Sequence, residues 1–87
     1  MARFPILETK MLAEDIRKMI IEGLPGATAE VRGDDGVHFE ATVVSGAFEG
    51  KRTLERHRLV YATLGSLMGA EIHALSLDTL TPAEAAN

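Results

Sequence analysis

Three histidines, His38, His57 and His73, are the side chains of this 87-residue chain best suited to bind a metal or transfer a proton near neutral pH. His38 begins a predicted strand and shares a side with Glu40, so we expect its ring to be exposed. His57 lies at the edge of a helical apolar stripe, where a half-buried packing role is the more common one. By periodicity alone, His73 is an ordinary strand residue rather than a ligand.

The sequence gives only weak support for an enzyme, because common catalytic motifs are missing from it. It has no Gly-x-Ser-x-Gly sequence, no Walker loop and no His-Glu-x-x-His sequence. The separations between the histidines match no compact zinc module. We therefore expect a protein that is not an enzyme.

Composition limits the chain to one small domain, residues 1–87, with 46% hydrophobic and 25% charged residues. Cysteine is absent, which excludes disulfides, thiol catalysis and any metal or iron–sulfur centre held by sulfur of this chain alone. No apolar run approaches the roughly 20 residues of a membrane span, and the first residues show no secretion signal. These features predict a cytoplasmic protein without a membrane partner.

The net charge of −4 disfavours nucleic-acid binding by the chain as a whole. The basic residues of the second half are nevertheless clustered in one short segment. A solvated helix face is the more common interpretation of such a cluster. The cluster lies at a helix start, where its positive charges oppose the helix dipole. A bound anion would offset this cost, so an anion-binding role stays open. The clustered residues are Lys51, Arg52, Arg56 and Arg58.

Apolar periodicity and turn residues predict the element order α-β-β-α-β-α. The turn at 33–36 should join two antiparallel strands, and the strand–helix–strand crossover requires a parallel pair. We expect a three-stranded mixed sheet with both main helices on one face and the other face open to solvent or a partner. The predicted elements are a helix over 10–22 capped by Thr9, strands over 27–32, 38–45 and 71–77, a helix over 53–68 and a short helix opened by Thr81.

Five segments, in order within the stretch from Val37 to Pro82 that makes up about half of the chain, resemble the BolA family. Any one of them would be weak evidence, but the combination is specific. The segments are Val43-Val44-Ser45, Phe48-Glu49-Gly50-Lys51, Arg56-His57-Arg58-Leu59-Val60-Tyr61, Ile72-His73-Ala74-Leu75-Ser76 and Leu80-Thr81-Pro82.

This resemblance implies an α/β fold similar to type II KH domains and pairing with a monothiol glutaredoxin around a shared [2Fe–2S] cluster. In such complexes a partner cysteine and glutathione supply thiolates, and the BolA-like chain supplies the histidine of the Ile-His-Ala segment, here His73. A second ligand, Cys or His, often comes from the hairpin loop. Some bacterial members are described as DNA-binding regulators of morphology and stress responses.

The sequence departs from the family pattern in the hairpin loop. The position where the resemblance places a cysteine ligand falls near Asp35, and neither Cys nor His occupies that position. The nearby imidazole, His38, is then the preferred second ligand, and Asp34, Asp35 or no second ligand remain alternatives. The tryptophan that many members carry after Thr-Pro is also missing, which should shorten the last helix.

Two functions follow from these features. The first is a non-enzymatic adaptor that shares a [2Fe–2S] cluster with a monothiol glutaredoxin, with His73 and His38 as ligands. The second is a DNA-binding transcriptional regulator of stress response and morphology that uses the basic cluster. A weak homodimer is also left open.

Overall fold

The computed structural model describes residues 11–72 and 74–87. Its elements follow the predicted order α-β-β-α-β-α, with two short 3₁₀ turns, Gly46–Phe48 and Gly65–Leu67, on either side of the second helix. The helices and strands are α1 (Ala13–Gly23), β1 (Thr28–Arg32), β2 (His38–Val44), α2 (Thr53–Leu64), β3 (Ala74–Leu80) and α3 (Pro82–Ala86).

The three strands form one mixed sheet in the order β1-β2-β3. β1 and β2 are antiparallel, with Ala29 opposite Val43. β2 and β3 are parallel, with Val44 opposite Leu80 at one end of the pair. The mixed three-stranded sheet predicted from the sequence is confirmed.

α1 and α2 cover one face of the sheet and bury the core against it. Alternation along β2 sends Phe39, Ala41 and Val43 inward, while His38 and Glu40 stay exposed on the other face. Removal of these apolar side chains from water is the main stabilising contribution. The core side chains with the least exposure are Phe48, Ile16, Ile20, Leu64, Ile72, Val43 and Val60.

α3 begins as the sequence predicts. The Thr81 hydroxyl accepts a hydrogen bond from the Glu84 amide (3.1 Å), and the Glu84 carboxylate accepts one from the Thr81 amide (2.9 Å). This reciprocal cap satisfies two amides that a helix start leaves without partners.

The two main helices have boundaries that differ from the prediction. α1 begins at Ala13 rather than at residue 10, with Leu12 exposed at its N-cap position, and Thr9 lies outside the described residues. α2 ends at Leu64 rather than at residue 68, because Gly65 takes a positive φ of 58° that a helix cannot continue.

The third strand runs over 74–80 rather than 71–77. Gly69, with φ of 88°, opens a turn closed by the hydrogen bond from its amide to the Ile72 carbonyl (2.8 Å). Extended pairing with β2 therefore starts only at Ala74. Within the described part of the chain, no helix is long and apolar enough to cross a membrane.

Candidate functional site

Asp35 and His38 form a bonded pair at the turn between β1 and β2. One carboxylate oxygen of Asp35, Oδ1, accepts hydrogen bonds from the backbone amides of Val37 and His38, both at 2.8 Å. The other, Oδ2, lies 2.8 Å from Nδ1 of the His38 ring. A single carboxylate therefore shapes the turn and orients the imidazole.

The His38 ring is well placed to coordinate a metal. An ionised carboxylate can only accept a hydrogen bond, so a neutral ring that donates to it would carry its proton on Nδ1 and keep a lone pair on Nε2. The His38 side chain is 71% exposed, as the strand pattern predicted. The hydrogen bond from the His38 side chain, followed by the two backbone amides, holds the pKa of Asp35 well below its usual value. Asp35 is therefore charged at neutral pH.

The start of β3 lies beside this pair. Ala74 is the register partner of His38, and its amide donates to the Val37 carbonyl at 3.2 Å. In the sequence, Ala74 directly follows His73. His73 itself lies outside the described residues, so its role as a ligand stays a prediction.

A shallow depression of about 310 Å³ extends from His38 across the open face of the sheet. Arg32 also lines the depression, and its charge is compensated by ion pairs with Glu30 at 3.3 Å and Glu40 at 3.5 Å. The depression is open to solvent, and a docking protein can reach it. It is lined by Arg32, Gly33, His38, Phe39, Glu40, Ala74 and Ser76.

The described residues do not bring three or more His, Asp or Glu side chains together as a metal site. Asp35 already uses both oxygens in the three hydrogen bonds of the turn, which disfavours it as a ligand. Asp34 is exposed in the same turn. The described residues alone therefore do not complete a metal centre at His38.

The four residues of the basic cluster differ in their exposure to solvent. Lys51, Arg52 and Arg58 are exposed around the start of α2. The Arg56 side chain is only 14% exposed, and it departs from the predicted patch because it is paired with the Glu84 carboxylate at 2.7 Å. Three exposed cations, rather than four, are thus available to an anion.

Arg56 joins α2 to the C-terminal end of the chain. Its guanidinium donates to the backbone carbonyls of Lys51 (2.9 Å) and Thr79 (3.1 Å) as well as to Glu84. The sequence places Arg56 in the basic cluster and does not predict this structural role. Arg56 and Glu84 are 28 residues apart, and no local pattern connects them.

His57 has the packing role expected for it. Its half-buried ring meets Tyr61 of the same helix edge-on, with ring centroids 6.3 Å apart. This spacing of four residues places the two rings on one helix face.

A family model described as BolA-like protein matches residues 23–84. The chain belongs to the BolA family. That match spans α2, the whole sheet and the Asp35–His38 turn. The resemblance seen in the five sequence segments is therefore confirmed.

Known BolA proteins match both the sequence and the fold of this chain. Human BolA-like protein 1 is 38% identical over 78 residues, which cover 79% of this chain and 57% of the human protein. The DNA-binding transcriptional regulator BolA of Escherichia coli K12 is 46% identical over 44 residues, covering 51% of this chain and 42% of that protein. The solved structure of a BolA protein homologue from Coxiella burnetii has a TM-score of 0.81 and 47% identity, covering 88% of this chain and 99% of that one.

The chain spans about half the length of the curated BolA relatives it matches. The fold, by contrast, corresponds to nearly the whole of the Coxiella burnetii structure. The comparisons thus give this chain its family and its architecture.

Proposed function

We propose that this BolA-like chain is a non-enzymatic adaptor that shares a [2Fe–2S] cluster with a monothiol glutaredoxin, in iron–sulfur cluster trafficking or iron-dependent regulation. The observation that carries the proposal is the exposed His38 ring, whose Nδ1 is bound by Asp35 and whose Nε2 is left for a metal. The absence of cysteine from the chain adds a second argument, because the thiolates of such a centre must then come from a partner.

The donor atoms of this chain fit one part of such a cluster. Imidazole replaces thiolate on one iron of known [2Fe–2S] centres and raises their reduction potential. His38 would be one ligand, and His73, implied by the family resemblance, would be the other. A glutaredoxin cysteine and glutathione would complete the four donors.

The chain's own residues would hold the shared centre and tune it. A bound cluster supplies one-electron redox chemistry and iron and sulfide for transfer. Asp35 orients the His38 ring and increases the basicity of its free nitrogen. The depression beside His38 gives the partner access to that edge of the sheet.

Assembly of the mixed complex tests this function. The chain is purified anaerobically with a monothiol glutaredoxin and glutathione, and iron and sulfide are counted. His73→Ala and His38→Ala should each alter or abolish the visible absorption and circular-dichroism bands of the complex. His57→Ala, a change at a histidine packed on α2, is the matched control and should leave the bands unchanged. If His73→Ala and His38→Ala both keep the bands of the unmodified complex, as the control should, the ligand assignment is wrong.

DNA binding is a second candidate function, favoured by the similarity to the Escherichia coli regulator and by three exposed cations at the start of α2. Lys51, Arg52 and Arg58 would contact phosphates. Arg56 is not included, because Glu84 compensates its charge.

The salt dependence of duplex DNA binding tests the second function. Three phosphate contacts give a slope of log K against log salt of about −2.7, at about −0.9 per contact. Arg58→Ala should reduce the slope by about 0.9. Arg17→Ala on α1, which removes a cation paired with Glu14 at 2.9 Å, should leave it unchanged. Equal slopes for the Arg58 variant and the unmodified chain would exclude this surface.

A further inference from the structure

The Asp35 carboxylate makes two separable kinds of contact. Among the residues that the structure describes, its Oδ1 accepts hydrogen bonds from the backbone amides of Val37 and His38, which is a turn-forming arrangement. In the same part of the chain, its Oδ2 is bonded to the His38 ring, at Nδ1. The ring contact is not one of the bonds to the backbone that form the turn, so it calls for an explanation of its own.

The ring contact determines which nitrogen of His38 is available. A carboxylate carries no proton to give, so in a neutral ring bonded to it Nδ1 must be the donor and Nε2 the atom with the free lone pair. In metal sites, a carboxylate on the second nitrogen of a histidine fixes the tautomer and raises the basicity of the coordinating nitrogen. The Asp35–His38 pair has this arrangement within the chain itself.

We infer that Asp35 is a positioning residue that keeps the proton of the neutral His38 ring on Nδ1 and thereby presents Nε2 as the coordinating atom. The inference rests on the proposed function of His38 as a ligand.

Asp35→Asn separates positioning from turn formation. The asparagine keeps an Oδ1 that accepts from the two backbone amides, so the turn is retained. It places an NH₂ group where Oδ2 was, and this group can only donate. Nδ1 must then become the acceptor, and the ring proton moves to Nε2, which blocks coordination there. Asp34→Asn changes the net charge equally in the same turn and is the matched control.

Long-range ¹H–¹⁵N NMR of the apo-protein at pH 8.5, above the ordinary titration range of imidazole, reads the tautomer directly. The unmodified chain and Asp34→Asn should show His38 protonated on Nδ1, and Asp35→Asn should show it protonated on Nε2. A proton on Nε2 in the unmodified chain, which requires no variant, would overturn the inference. Unchanged tautomers in Asp35→Asn would overturn it as well.

The mixed complex with a monothiol glutaredoxin gives the second readout. Asp35→Asn should shift the circular-dichroism bands toward those of His38→Ala, with the 10–100-fold loss of metal affinity typical of such outer contacts. A tautomer change without any spectral change would confine the role of Asp35 to the free protein and contradict the inference. If the unmodified complex holds no iron or sulfide, the proposed function fails, while the NMR result still decides what Asp35 does to the ring.

Discussion

Arg56 and Glu84 form a two-point ion pair, with Nη1 2.7 Å from Oε1 and Nη2 3.2 Å from Oε2. The pair fastens α3, a helix of only five residues, to the first turns of α2. The same guanidinium donates to the Thr79 carbonyl of β3. A single arginine thus connects the last three elements of the fold. Parallel contacts of this geometry are the strong form of a charged hydrogen bond.

Removal of the guanidinium should loosen the C-terminal segment. We expect Arg56→Ala to lower Tm and to speed hydrogen exchange of the amides around Thr81 and Glu84, because α3 loses its anchor while the core stays buried. Arg58→Ala, at an exposed arginine of the same helix, is the control. Equal exchange rates in the two variants would show that α3 is held by other contacts.

Because of this pair, the unfolding free energy of the protein should also depend on pH in the acid range. The hydrogen bond from Arg56, followed by that from the Thr81 amide, holds the pKa of Glu84 below its usual 4.5. Glu84 therefore contributes stability that is complete above the unfolded pKa and is lost as pH falls through the lower folded pKa. The difference in unfolding free energy between the unmodified chain and Glu84→Gln should shrink as pH falls below about 4.5. Urea titrations from pH 7 to 3 measure it, and a difference that grows toward acid would contradict this assignment.

The apolar face of α2 should carry much of the stability. Leu64 is 1% exposed, so Leu64→Ala leaves a cavity and should cost about 2–4 kcal/mol of unfolding free energy. Leu54, which is 61% exposed on the same helix, should lose less than about 0.5 kcal/mol on the same change. Urea denaturation compares the two variants. A loss below about 0.5 kcal/mol for Leu64→Ala would contradict the burial of this helix face.

Gly23 permits α1 and α2 to approach closely. A Cβ at this position would lie 2.5 Å from Cγ2 of Thr63 and 2.7 Å from its Cβ. Gly23→Ala should therefore cost about 1–3 kcal/mol despite the better helix propensity of alanine. Gly46→Ala meets no atom within 4 Å and should be nearly neutral. Thermal unfolding checks both, and a more stable Gly23→Ala chain would show that the helices can separate without cost.

The sequence predicts the element order and the mixed sheet because apolar periodicity and the turn residues agree along most of the chain. The ends of elements are less well predicted because they depend on tertiary pairing. Residues 71–73 continue the apolar pattern of the third strand, but the strand begins only where Ala74 meets His38. The predicted helix over 53–68 would end at Gly69, but α2 already ends before Gly65, because Gly65 has a positive φ.

The residues of the candidate site differ in how much of their structure can be predicted from the sequence. The exposure of His38 follows from strand alternation, and a turn at Asp35 follows from its Asp-Gly sequence. The bond between the Asp35 carboxylate and the imidazole depends on side-chain rotamers, which no sequence spacing fixes. The pairing of Arg56 with Glu84 depends on how α3 folds back against α2, and local sequence does not contain that information.

Pulsed EPR of the reduced mixed complex, with ¹⁵N-histidine incorporated only into this chain, tests the shared cluster most directly. A cluster held by both proteins should show hyperfine couplings from ligating imidazole nitrogens, with one coupling lost in His38→Ala and the other lost in His73→Ala. A reduced cluster that shows no ¹⁵N coupling, with all of its donors on the glutaredoxin side, would contradict this prediction.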